Sequence, residues 1–232
     1  MLKKFLHESR VDFKLVFQSR EIKPLLYFYI NPQNFRLVRD NIGRFMGNSV
    51  YRVDGLYVSF LLKRIWPQVF RDIKRQSFDF TSLANSFFGH VLENKKLVIS
   101  YGGSENDAKI FNNVIKSRYK GINLISYHGY LSDNQIMKDI KFQSPDLIML
   151  GLGNIRQECL GLAIIEELQI PTFTCGAFIT QTARRPNDWM QYPKIINALG
   201  LRWLYRCITE PHIIVRVFKY YPIFFISLMR IK

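Results

Sequence analysis

Apolar residues along this chain fall into two alternating patterns. In one they run nearly unbroken for a few positions, at 25–30, 97–101, 122–127, 147–150 and 172–175, with a shorter run at Ser49–Val53. Such runs, closed by Gly, Pro, Asn or His, read as strands, and the run at 147–150 as one buried on both faces. In the other pattern they recur every three or four positions. Phe35, Val38, Ile42 and Phe45 form one stripe and predict a single helix over 34–46. Further helices are expected over 56–65, 81–94 and 105–118, from Ser132 to about Phe142, and from near Arg156 through Glu167. Ser104 and Ser132 stand where N-caps are needed. Strand and helix alternate, so the expected fold class is α/β, with a mainly parallel sheet covered by helices on both faces.

In such a sheet the loops that follow the strands gather at one edge, and ligands bind there. Four of them carry chemistry: Asp54-Gly55, Gly102-Gly103-Ser104, His128-Gly129-Tyr130, and Gly151-Leu-Gly153-Asn-Ile-Arg-Gln157-Glu158. Asp54 is an acid set directly at a strand end, suited to take a proton from an attacking hydroxyl; read alone, Asp-Gly is also an ordinary turn. The Gly102-Gly103 helix start offers N–H groups to a phosphate, but it matches neither the P-loop nor the dinucleotide fingerprint. Gly151 and Gly153 allow a tight turn and close approach of a ligand to the backbone. His128 reads either as a ligand contact or as a buried, hydrogen-bonded histidine.

Charge narrows the class of partner. Lys and Arg number 33 against 18 Asp and Glu, a formal net charge of +15, which points to nucleic acid, an acidic membrane surface or phosphorylated substrates. Much of the excess lies at the carboxy end. From 184 to 232 there are nine Lys/Arg and two acids, interleaved with Trp189, Trp203, Tyr205, Phe218, Tyr220, Tyr221, Phe224 and Phe225. The stretch 218–232 is too apolar for water and too short to span a bilayer. It suits an anchor lying in the membrane plane, or else a terminal helix packed on the domain. No nucleic-acid module accompanies the charge, so nucleic acid is not the expected partner. Arg202, Arg206 and Arg216 either clamp a diphosphate or face lipid. Cys159, Cys175 and Cys207 are widely spaced, without CxxC or a Cys/His cluster. Neither a disulfide framework nor a metal site is expected, and a reducing compartment fits. No signal peptide or membrane span is read, so the chain is expected to be cytoplasmic, attached peripherally to the inner face of the membrane.

Taken together, certain motifs are specific. Asp54-Gly55-Leu56, Tyr101-Gly-Gly103, His128-Gly-Tyr130, Gly151-Leu-Gly-Asn-Ile-Arg-Gln-Glu158, Cys175-Gly-Ala-Phe178, Trp189-Met190 and Leu199-Gly-Leu-Arg-Trp-Leu-Tyr-Arg206 before Glu210-Pro211 occur in that order. In this the chain closely resembles the WecG/TagA/CpsF glycosyltransferases over about residues 25–218. The resemblance implies a Rossmann-like core, 1–183, that binds a UDP-sugar without metal or other cofactor, and an appendage, 184–232, for membrane attachment and active-site closure. It implies inverting transfer to a polyprenyl-diphosphate-linked saccharide in bacterial surface polysaccharide assembly, with Asp54 as base. It further implies Asn31 at the pocket wall, Gln157 at the sugar nucleotide, and Arg202 and Arg206 reaching the active site. One departure stands out: where relatives carry Arg-Val-x-Gly-x-Asp-Leu, this chain reads Arg75-Gln-Ser-Phe-Asp79-Phe80, keeping the acid but not the glycine. The competing reading is a non-catalytic nucleotide-sugar or lipid-binding regulator on the same fold, which has no need of Asp54.

Overall fold

A computed structural model describes residues 1–71, 76–186 and 212–229. Its centre is a six-stranded sheet: β1 (Leu26–Ile30), β2 (Ser49–Val53), β3 (Leu97–Gly102), β4 (Asn123–Tyr127), β5 (Leu147–Gly151) and β6 (Thr172–Thr174). The spatial order is β2-β1-β6-β5-β3-β4, and every pairing is parallel. All strand carboxyl ends therefore lie at one edge. β1 and β6 are buried along their whole length, as strands covered on both faces must be.

Helices α1 (Leu2–Glu8), α2 (Phe13–Val16), α3 (Phe35–Asp40), α4 (Ile42–Phe45), α5 (Leu56–Ile65) and α6 (Pro67–Phe70) belong to the first half; α7 (Ala84–Glu93), α8 (Glu105–Arg118), α9 (Asp133–Gln143), α10 (Arg156–Leu168), α11 (Phe178–Arg184) and α12 (His212–Met229) to the second. They form two layers. On one face α2, α7, α8 and α11 pack Phe13, Phe87, Phe88, Phe111 and Phe178 on Tyr27, Met149 and Phe173 of the sheet. On the other, α1, α3 to α6 and α12 cover β1 and β2, while α9 and α10 cover β3 and β5.

Several boundaries differ from expectation. The stripe over 34–46 is two helices, because Asn41 leaves the helical region (φ −121°, ψ 28°) and its amide caps Leu37 O instead. The helix expected from 81 begins at Ala84, since Asp79 accepts from Thr81 N, Thr81 Oγ1 and Ser77 Oγ and holds that segment as a turn. Ser104 and Ser132 do cap α8 and α9, each with a reciprocal capping box. The amino-terminal helices were not foreseen as core elements, yet Phe5, Leu6 and Phe13 are fully buried. The chain after α1 also pairs with edge strand β2, Tyr51 N donating to Ser9 O at 2.9 Å, which covers an otherwise open edge.

Of the two alternatives for the carboxy-terminal segment, packing on the domain is what α12 shows along one side. One side of α12 packs on the core: Phe224 meets Phe35 edge to face at 4.9 Å, Leu228 is buried, and Arg39 Nη1 reaches Ser227 Oγ at 3.3 Å. The opposite side leaves Val215, Phe218, Ile223, Phe225, Ile226 and Met229 exposed. Among the described residues no helix is long and apolar enough to cross a membrane.

Candidate functional site

The site follows from sheet order. β3 leads through α8 outward to β4, whereas β5 leads through α10 in the opposite direction to β6. The two helices pack on opposite faces, so a crevice opens between their starts, the switch point at which α/β sheets bind ligands. Along the carboxyl edge the loops run in the order Asp54, Asn31, Gly176, Gly151–Gly153, Gly102–Gly103, His128. Adjacent strands lie about 4.8 Å apart, which puts Asp54 roughly 14 Å from the Gly-Leu-Gly loop and roughly 24 Å from His128. Asp54 and His128 cannot act on the same atom; an extended ligand along the edge reaches between the Asp54 end and the central loops.

At the near end, Asp54 N donates to Ile30 O at 3.3 Å, keeping the end of β2 in step with β1. Gly55 then turns the chain into α5 at φ 92°, ψ 133°, a conformation that costs a side-chain-bearing residue strain. Tyr29, on β1, was not singled out from sequence. Its hydroxyl is buried and has no hydrogen-bond partner among the described residues. Burial, and then the negative charges of Asp54 and Asp79, push this phenol well above its ordinary value, so it stays a neutral hydroxyl. Behind it Arg52 pairs with Asp12 at 3.0 Å and donates to Gln76 Oε1 at 2.9 Å, linking the strand that carries Asp54 to the amino-terminal segment.

The middle of the edge is a polar belt laid across β6. Asn31 Oδ1 accepts from Gln33 N and Asn34 N, while Asn34 Oδ1 accepts from Asn31 N, folding the β1–α3 loop on itself. Asn31 Nδ2 donates to Asn154 Oδ1 at 3.0 Å, and Asn154 Nδ2 reaches Gln33 Oε1. Asn34 Nδ2 donates both to Tyr29 O and to Glu158. Gln157 and Glu158, in the first turn of α10, are both buried.

The glycines here do different things. A Cβ on Gly151 would lie 2.8 Å from Gly176 O, and one on Gly102 3.0 Å from Gly151 O, so close backbone packing between neighbouring strand ends leaves little room for a side chain at either. Gly153 turns at φ 83° with nothing within 4 Å of where a Cβ would be, so the open backbone of the loop is there. At the α8 start, Ser104 N is already taken by Asp107 Oδ2 and Asp107 N by Ser104 Oγ, and Glu105 adds a second acid to the first turn. That end is therefore less free to hold a phosphate than the glycine pair suggested. Arg156 is committed as a tie: it donates to Asp133, Gly129 O and Leu131 O, fixing the β4–α9 loop to α10. His128, at the far end, is half-buried and not enclosed; its Nδ1 accepts from Tyr130 N at 3.2 Å, which leaves Nε2 as the protonated nitrogen. Arg202 and Arg206, with Arg75 and Trp189, lie outside the described residues. Among the described residues no cluster of three or more His, Cys, Asp or Glu could hold a metal ion.

A parallel α/β sheet with an acid at one strand end and an amide belt beside its switch point is of the class that binds ligands at the carboxyl edge. The chain belongs to the glycosyl transferase WecG/TagA/CpsF family, whose model matches residues 22–232, and it is a glycosyltransferase. It is 30% identical over 205 residues to a UDP-Gal:alpha-D-GlcNAc-diphosphoundecaprenol beta-1,4-galactosyltransferase of Shigella boydii, covering 85% of this chain and 83% of that one. It is 26% identical over 141 residues to an N-acetylglucosaminyldiphosphoundecaprenol N-acetyl-beta-D-mannosaminyltransferase of Staphylococcus aureus (strain NCTC 8325 / PS 47), covering 60% of this chain and 54% of the relative.

Proposed function

We propose that this chain transfers a sugar from a UDP-sugar to a hydroxyl of a polyprenyl-diphosphate-linked saccharide, with inversion and without a metal, in bacterial surface polysaccharide biosynthesis. The observation that carries this is the position of Asp54, at the same sheet edge as the Gly153–Glu158 loop but about three strand spacings from it. In the reaction the Asp54 carboxylate takes the proton of the acceptor hydroxyl as its oxygen attacks the anomeric carbon. The bond from that carbon to the β-phosphate oxygen breaks, and UDP leaves with the electron pair. One base on the attacking face and a leaving group on the other is a single displacement, which inverts the centre. The names of both relatives support the acceptor class, since each specifies N-acetylglucosamine on diphosphoundecaprenol, and one specifies UDP-Gal with a β product.

Asn31, Gly151, Gly153, Gln157 and His128 are proposed to line the donor site. Charge developing on UDP falls to donors preorganised where it appears, for which Gly102–Gly103 and the appendage arginines Arg202 and Arg206 are the candidates. Peripheral attachment to the inner membrane face is supported by α12, whose outward side is apolar while Lys219 stands beside it. The division into a catalytic core, 1–183, and an appendage, 184–232, belongs to the same reading.

The test is turnover of Asp54→Asn with a panel of UDP-sugars and a synthetic polyprenyl-diphosphate acceptor. UDP binding and thermal stability are expected to persist, while turnover falls by two or more orders of magnitude. Near-normal turnover removes Asp54 from the role of base. Undiminished turnover after treatment with a chelator is expected if no metal takes part.

A further inference from the structure

Glu158 is enclosed by hydrogen-bond donors. Its Oε1 accepts from Asn34 Nδ2 at 2.9 Å and from Gln157 Nε2 at 3.0 Å, and its Oε2 accepts from Ile155 N at 2.5 Å. The side chain is completely buried. Ile155 is a β-branched residue held at φ 76°, ψ −58°, a strained backbone that persists only where its surroundings over-determine it. One carboxylate thus ties together the β1–α3 loop, the strained turn and Gln157.

The bond from Gln157 has a further consequence. An amide offers a donor end and an acceptor end. With one N–H of Nε2 held by Glu158, the acceptor left over is Oε1, which is buried and has no partner among the described residues. A carboxylate at 158 can only accept, so it forbids the flipped amide in which Oε1 points inward. We propose that Glu158 is a positioning residue that fixes the hydrogen-bond polarity of Gln157, so that Gln157 presents an acceptor to an O–H or N–H donor of the bound nucleotide sugar. This rests on the reading of this edge as the nucleotide-sugar site. The donor is either a sugar hydroxyl or the uracil N–H. Oε1 is closed off from solvent, where an unmet acceptor is costly and a ligand donor is correspondingly favoured. Glu158→Gln removes the constraint: its amide nitrogen can donate to Gln157 Oε1, turning Gln157 Nε2 toward the ligand, donor against donor.

The experiment is a double-mutant cycle on the full chain, with affinities for UDP, UDP-galactose and UDP-N-acetylmannosamine measured calorimetrically. Gln157→Met keeps the shape and removes both polar atoms. Gln157→Met and Glu158→Gln are each expected to weaken binding about tenfold, and the double variant to bind no more weakly than Gln157→Met alone. Equal losses for UDP and the UDP-sugars assign the contact to the base; losses confined to the UDP-sugars assign it to a sugar hydroxyl. A loss from Glu158→Gln that persists undiminished beside Gln157→Met is a general disturbance of the loop and overturns the proposal. So does unaltered affinity in Gln157→Met, which decides the matter even if Glu158→Gln fails to fold. If the unaltered chain binds none of the three ligands, the nucleotide-sugar reading itself fails and this proposal with it.

Discussion

Asn31 Nδ2 and Asn154 Oδ1 lie 3.0 Å apart, joining loops 123 positions distant in sequence over the end of β6. β6 lies between the two strands these loops follow, so the bond spans a strand and closes the belt that holds Gln157 and Glu158. Asn154→Ala removes this bond and the one to Gln33. Unfolding free energy from urea melts should fall by about 1–2 kcal/mol, at about 1 kcal/mol per partly exposed bond. The KM for the UDP-sugar should rise several-fold, because the β1–α3 loop is no longer fastened to the α10 start.

Gly55 is the turn between the strand carrying Asp54 and α5. A Cβ would meet only Val58 Cγ2 at 3.8 Å, so space is not limiting and the backbone conformation is. Gly55→Ala is therefore expected to cost about 1–3 kcal/mol from strain alone. Relief of that strain should move Asp54, so turnover should drop more than stability does; equal stability in the two proteins would show that the turn relaxes without penalty.

Burial pushes the Glu158 carboxyl above the ordinary glutamate value of 4.5, against the opposing pull of Gln157, Asn34 and the Ile155 N–H. A raised acid binds more protons folded than unfolded, so its contribution to stability is fully present below 4.5 and is lost as pH rises through the folded value. Glu158→Gln does not titrate. The difference in melting temperature, unaltered chain minus variant, should accordingly shrink as pH increases upward from 4.5; a constant difference means that Glu158 does not titrate in that range.

The two sides of α12 can be separated. Phe224 is buried against Phe35, and Phe224→Ala should cost about 3 kcal/mol through the cavity it leaves. Phe218 is 77% exposed, and Phe218→Ser should change stability by less than about 0.5 kcal/mol. Co-sedimentation with vesicles containing phosphatidylglycerol should respond in the reverse sense, with Phe218→Ser losing more than half of the bound fraction. Full retention by Phe218→Ser together with Phe225→Ser would remove this face from membrane contact.

Periodicity, capping chemistry and glycine placement determined much of this protein from the sequence alone. The parallel α/β class, the six strands, the Ser104 and Ser132 caps and the common edge shared by Asp54, Gly102, His128 and Gly153 all follow from local rules, because each depends on residues within one turn or one strand. The order of motifs from Asp54 to Pro211 carried the resemblance to the family, which needs only the sequence and no knowledge of the contacts. Tertiary structure alone decided which strands are neighbours, and with them that β6 lies between Asn31 and Asn154 and that Asp54 and His128 stand at opposite ends of the edge. It also decided that Arg156 is a tie, that Glu158 accepts from Asn34, that Asp12 reaches Arg52, and that α12 divides its apolar residues between core and surface. The first three are pairings between residues tens to more than a hundred positions apart, and no local pattern of spacing or composition records which distant donor a given acceptor will meet once the core has closed.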